Sequence, residues 1–214
     1  MWCLYSGMSD KCNIQEGVDK MAYNIYICGI GGQGIIKTSI VIGETALSKD
    51  MNVVMSEIHG MSQRGGVVST ELKIGDDESP IIQEGGADLI LSFEPVEALR
   101  ALHKSNKDSI IVTNTSPVLP STINQQDVDY PEVDTIIKEL ESKVSKVYAI
   151  NANKMAKDAG HPLSMNMAML GAATAISTFP IEKDDVIEIM KENLPPKTIE
   201  INLKAFDEGY NSCL

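Results

Sequence analysis

A short apolar run, Ile25-Tyr26-Ile27-Cys28, drops without a linker into Gly29-Ile30-Gly31-Gly32-Gln33-Gly34. A helical stripe of Ile35, Ile36, Ile40, Val41, Ala46 and Leu47 follows at once. This strand, glycine turn and helix leave few folds open. Gly29, Gly31 and Gly34 satisfy G-x-G-x-x-G in the context that gives the motif meaning. Glycine permits the tight turn and lets main chain approach an anion, while the helix start offers N–H groups that lack intrahelical partners. Gly32 and the polar Gln33 are extra to a plain dinucleotide turn. A tight turn that holds no ligand uses the same glycines.

The alternation continues downstream. Strands are predicted over 24–28, 52–55, 67–74, 87–92, 109–113 and 146–150. Helices are predicted over 34–49, 96–102 behind Pro95, and 133–143. Past residue 150 only helical patterns remain, over 152–159, 164–178, 183–193 and 198–209. The fold class is therefore α/β: a Rossmann-like, mostly parallel sheet with helices on both faces and a helical C-terminal region. Residues 1–22 read as a dispensable N-terminal extension, because Met21-Ala22 resembles an alternative start, and 23–214 read as one domain.

Composition narrows the function. A net charge of −12 leaves no general basic face for nucleic acid. No apolar run approaches the ~20 residues that span a bilayer, and the first twenty residues lack a signal-peptide core. A cytoplasmic protein is expected. Cys3, Cys12, Cys28 and Cys213 form no CxxC pair, so no metal site is assigned to this chain. Cys28 reads as a buried apolar residue that ends a core strand.

A second dense block runs Ser56-Glu57-Ile58-His59-Gly60-Met61-Ser62-Gln63-Arg64-Gly65-Gly66. Arg64 beside Gly65 and Gly66 suits a phosphate or carboxylate, or equally an interface salt bridge. Glu57 stands near the place where a dinucleotide fold holds ribose hydroxyls. His59 is a candidate proton donor or acceptor, or a plain loop hydrogen-bonding group. His103 suits a solvated helix end, and His161 in Gly160-His161-Pro162 suits a helix stop. Met165, Met167 and Met169 read as core or subunit contact, whereas Asn166 is polar in an apolar helix and is expected to face the glycine loops. From the residues alone, an independent NAD(P)-binding enzyme and a ligand-free assembly scaffold both stand open.

The two glycine blocks, with Ser79-Pro80, Ala87-Asp88, Phe93-Glu-Pro-Val-Glu-Ala-Leu-Arg100 and Asn166-Met-Ala-Met-Leu-Gly171, resemble the small, gamma-type subunit of 2-oxoacid:ferredoxin oxidoreductases. The form nearest in pattern is the beta subunit of indolepyruvate ferredoxin oxidoreductases. The likeness runs from Tyr23 to the final helix. It implies oxidative decarboxylation of an arylpyruvate, with coenzyme A as acyl acceptor and electrons passing to ferredoxin. It also implies that thiamine diphosphate, magnesium and 4Fe-4S clusters belong to a large alpha partner subunit, so that this chain binds none of them alone and is not active alone. On this reading Gly29, Gly31, Gly32, Gln33 and Gly34 offer donors to an anionic group, and Arg64 adds a charge. Ser56, Glu57, His59, Gln63, Gly65, Gly66 and Asn166 shape the junction around that group.

Overall fold

The computed structural model describes residues 22–60, 66–119 and 130–214. The expected extension at 1–22 falls, but for Ala22, outside them. β1 (Tyr23–Ile30) leads through the glycine turn into α1 (Ile35–Ser48). β2 (Val53–His59) and β3 (Val67–Ile74) follow, then β4 (Ala87–Ser92) and α2 (Pro95–Arg100), which tightens into a 3-10 turn over Ala101–Lys104. β5 (Ser105–Asn114), α3 (Val133–Glu141) and β6 (Lys146–Ile150) complete the sheet. α4 (Ala152–Ala159), α5 (Met165–Thr174), α6 (Lys183–Asn193) and α7 (Ile199–Asn211) form the helical C-terminal region.

The strand order is β2-β3-β1-β4-β5-β6. β1, β4, β5 and β6 pair in parallel, and β3 is antiparallel to both β1 and β2. The sheet is thus mostly parallel with one reversed strand. The connection from β2 to β3 explains the reversal. A parallel return needs a crossover of a dozen or more residues, and residues 60–66 are too few.

Helices cover both faces. α1, α5, α6 and α7 share one core with Ile25, Ile27, Leu72, Leu89, Leu91 and Phe206. α2 and α3 cover the other face over Cys28, Ile90, Ile111 and Leu140. β4 is central, and its Leu89, Ile90 and Leu91 are all fully buried, as an uninterrupted apolar run requires. Every residue of α5 is buried. The methionines of α5 are therefore core, which settles the choice between core and subunit contact.

Several boundaries move. β1 runs on to Ile30, because β3 keeps pairing with it through Gly29↔Val68 and Ile30↔Val67. β2 reaches His59 for the same reason, pairing as far as Val68. β5 starts at Ser105 after a register shift between Ala87 and Leu89. There the Ser109 hydroxyl donates to Ala87 O at 2.6 Å and accepts from Asn106 N at 2.8 Å.

Candidate functional site

The antiparallel β1–β3 pair sets the end of the first glycine turn beside the end of the second. Gly31 N–H donates to Gly66 O at 2.9 Å, and Gly60 N–H donates to Val67 O at 2.8 Å. Gly60 and Gly66 of the second block therefore lie with the first block at the carboxyl edge of the sheet, where open α/β sheets hold ligands. Gln63, Arg64 and Gly65 lie outside the described residues.

The glycines of the first block do different work. Gly29 sits in β1, and a Cβ there would lie 2.6 Å from Gln33 Oε1 and 2.8 Å from Phe93 Cβ. It is a packing glycine. Gly32 and Gly34 have φ of 103° and 84°, which side-chain-bearing residues rarely adopt. A Cβ on Gly34 would lie 2.7 Å from Asn166 Nδ2, so α5 brings Asn166 against the turn. Gln33 is a staple: its Oε1 accepts from Ile30 N at 2.7 Å and its Nε2 donates to Phe93 O at 3.0 Å. The same carbonyl accepts from Asn114 Nδ2 at 3.2 Å, and Asn114 Oδ1 accepts from Ala152 N at 3.1 Å. One chain of amide bonds thus ties the ends of β1, β4, β5 and β6 and holds the turn rigid.

Four helices begin at this edge, and α3 starts on Glu132 with no side-chain cap. Glu94 caps α2 by accepting from Val96 N at 2.8 Å and Glu97 N at 3.1 Å. Asn151 caps α4 by accepting from Lys154 N at 2.9 Å. α1 starts on Gly34, with no side-chain cap. Its first N–H groups have no intrahelical acceptor and carry the positive end of the helix dipole. Glu94 Oε1 also accepts from Tyr130 OH at 2.5 Å and Val118 N at 3.3 Å. Burial, then the bond to Glu94, raises the Tyr130 hydroxyl well above the ordinary tyrosine range.

A cleft of about 360 Å³ opens beside the turn, lined by Gly32, Gln33, Gly34 and Asn166 and also by Lys37, His161, Leu163, Thr198, Ile201 and Asn202. Lys37 and His161 are the residues that sequence reasoning missed. Lys37 stands three positions after Gly34, in the first turn of α1, and that spacing was the available signal. His161 read as a helix stop, and it does cap the next turn: its Nδ1 accepts from Leu163 N at 3.1 Å. That bond leaves the proton of the neutral ring on Nε2. The cleft thus has N–H donors and the Lys37 ammonium in its lining together with the apolar Leu163 and Ile201.

Ser56, Glu57 and His59 are not at the turn. They lie on β2, with β3 between them and β1. Glu57 Oε2 and His59 Nε2 approach to 3.1 Å, and both side chains are partly exposed. A ribose-gripping acid beside the glycine turn would need β2 next to β1.

Cys28 Sγ donates to Glu97 O at 3.6 Å, and burial pushes its thiol up to about 12 from an ordinary 9.0. An unfolded thiol ionises near its ordinary value while the folded one keeps its proton. The folded state therefore loses stability as pH rises from 9 toward 12. Urea unfolding of the parent chain between pH 8 and 11 is expected to show that loss. A Cys28→Ala variant should have a shallower alkaline slope, and equal slopes would refute the assignment. Among the described residues no three His, Cys, Asp or Glu side chains converge as a metal ion or cluster would need. No helix among them is long and apolar enough to cross a membrane.

The pyruvate ferredoxin/flavodoxin oxidoreductase family matches residues 24–212. The chain belongs to this family. It is 52% identical to the indolepyruvate oxidoreductase subunit IorB of Methanothermobacter thermautotrophicus, over 90% of this chain and 98% of that protein. It is 38% identical to the subunit of the same name from Archaeoglobus fulgidus, over 91% and 96%. Among solved structures, the gamma subunit of a keto/oxoacid ferredoxin oxidoreductase from Geobacter sulfurreducens shares the fold, with a TM-score of 0.66 at 22% identity over 89% of this chain and 98% of that one. A 2-oxoglutarate:ferredoxin oxidoreductase from Magnetococcus marinus, solved with 2-oxoglutarate, coenzyme A and succinyl-CoA, aligns over 90% of this chain and 31% of its own, with a TM-score of 0.68 at 19% identity. The resemblance carried by the glycine blocks is borne out. These curated relatives are oxidoreductase subunits, and the solved structures share this α/β fold.

Proposed function

We propose that this chain is the small subunit of a cytoplasmic indolepyruvate, or related arylpyruvate, ferredoxin oxidoreductase. Its likeness to the indolepyruvate oxidoreductase subunits along nearly their whole length supports this reading. The observation that carries the site is the uncapped start of α1, held open beside Asn166 and Lys37 while its neighbours α2 and α4 are capped from within. Two described cysteines, both buried, do not fit a cluster. Thiamine diphosphate, magnesium and 4Fe-4S clusters are therefore assigned to the large alpha subunit, which supplies the decarboxylation and electron-transfer chemistry. This chain closes the mouth of that site. The N–H groups of the turn and the Lys37 ammonium receive an anionic group of coenzyme A, Arg64 adds a charge-assisted contact, and the Gln33 staple keeps the donors aimed.

The test is co-purification with the large subunit and a ferredoxin- or viologen-linked assay across several 2-oxoacids. The isolated chain is expected to show no turnover. In the assembled enzyme, Arg64→Ala should raise KM for coenzyme A about tenfold or more, the scale of a lost charge-assisted hydrogen bond, with kcat less affected. An unchanged KM would remove Arg64 from the site. Loss of assembly instead would favour a scaffold role. Saturable NAD(H) binding by the isolated chain would favour a dinucleotide enzyme. The displacement of Glu57 from the turn argues against that outcome.

A further inference from the structure

We infer that the edge of β2 that no described strand covers pairs with the β2 edge of a second copy of this chain, in an antiparallel register centred on Ile58. Among the described residues β2 is the last strand of the sheet on this side. It pairs with β3 through seven consecutive partners, Val53↔Ile74 to His59↔Val68, with no shift. Its sequence, Val-Val-Met-Ser-Glu-Ile-His, contains no Pro, Lys or Arg. Bulges, edge lysines and prolines are among the devices that keep open strand edges apart, and β2 has none of these three. The other edge strand, β6, is five residues long and starts on Lys146.

The side chains of β2 alternate between the two faces. Met55, Glu57 and His59 share the face of Leu72, Thr70 and Val68, their register partners on β3, while Val54, Ser56 and Ile58 share the opposite one. Ile58 is 52% exposed and Met55 38%, and Val67, diagonal to Ile58 on β3, is 42% exposed. The outer end of this edge therefore presents apolar groups on the Ile58 face, and Met55 lies midway along the other.

The pleat restricts how two such edges can meet. In an antiparallel pair, opposed residues point to the same face, so a two-fold axis normal to the sheet must pass between two copies of one residue. A centre at Glu57 sets two carboxylates against each other, which is destabilising. A centre at His59 opposes two imidazoles. A centre at Ser56 sets Glu57 against Met55 and His59 against Val53. A centre at Ile58 sets the two isoleucines together on one face. On the other face it sets Glu57 of each copy against His59 of its partner. Glu57 and His59 already approach within one chain at 3.1 Å, so two carboxylates and two imidazoles would alternate around the axis. Val67 of each copy flanks the isoleucines, giving an apolar strip four strands wide. The contact is isologous and closes on itself. It uses the lateral edge of the sheet, whereas the glycine turn opens at the carboxyl edge. The inference therefore stands apart from the proposed coenzyme A site, and a large subunit can hold one surface while a second copy holds the other.

The test uses the full-length chain with Cys3→Ser and Cys12→Ser, so that the described native thiols that remain, Cys28 and Cys213, are buried. Adding Ile58→Cys and oxidising mildly should give a disulfide-linked dimer as the main product, and Val54→Cys should not. By sedimentation equilibrium the parent chain should dimerise, and Ile58→Lys should raise the dimer dissociation constant at least tenfold with an unchanged circular dichroism spectrum. A chain that stays monomeric with no 58–58 disulfide overturns the proposal. So does an assembled enzyme in which a photo-crosslinker at position 58 captures the large subunit instead of a second small chain.

Discussion

Gly209→Ala is expected to destabilise the folded chain by about 3 kcal/mol or more, the upper range for overpacking a core. A Cβ on Gly209 would stand 1.9 Å from Ala168 O and 2.7 Å from Ala168 C. The reciprocal contact is as tight, with a Cβ on Gly171 placed 2.0 Å from Phe206 O. In both cases the obstacle is main chain inside a helix, so no side-chain rotation relieves it. α5 and α7 can touch at this distance only because each carries a glycine at the crossing. Separating them would open the core around Met167, Met169 and Phe206. It would also move Asn166, which α5 presses against Gly34. Urea unfolding measures the loss, and Gly171→Ala should behave alike. A change below about 1 kcal/mol in both variants would mean that the helices are not packed this closely.

The second large effect concerns a charge pair under the opposite face. Lys104 Nζ lies 2.9 Å from Glu71 Oε1, with both side chains nearly buried. Glu71 Oε2 accepts from Ile82 N at 2.5 Å, and Lys104 Nζ donates to Ile82 O at 2.5 Å. The pair therefore holds both polar groups of one residue and pins the 75–86 connection against β3. Lys104→Met leaves a buried carboxylate without its counter-charge, which costs about 3–5 kcal/mol. Glu71→Gln added to Lys104→Met removes the stranded charge while keeping an acceptor for Ile82 N–H. That double variant should regain at least half of the lost stability. A single variant within about 1 kcal/mol of the parent, or a double variant no better than the single, would show that the pair is not the pin.

Much of the architecture was legible in local patterns. The apolar runs of β1, β4 and β5 and the stripes of α1 to α7 name their own conformations, because burial selects residues at a fixed period. The glycine turn was legible because φ near 84° and 103° at Gly34 and Gly32 leaves little choice of residue. The expectation that Asn166 faces the turn also holds, from polarity alone. What local pattern did not reveal was pairing. Gln33 read as a ligand-facing group, yet both ends of its amide are taken by Ile30 and Phe93, sixty residues apart in the second case. Glu57 and His59 read as neighbours of the turn, yet the hairpin inserts β3 between them and β1.

The amino-acid sequence by itself determined which segments are strands and helices, where the backbone must be glycine, and which family the chain joins. All of these depend on near neighbours or on an uninterrupted pattern. Only the tertiary structure decided that α1 starts uncapped beside the cleft at the carboxyl edge, that Lys37 and His161 share that cleft with Asn166, and that β2 is the outermost of the described strands on its side of the sheet. Those outcomes depend on which distant groups meet, and long-range contacts are set by how the sheet orders its strands and how closely two helices can cross.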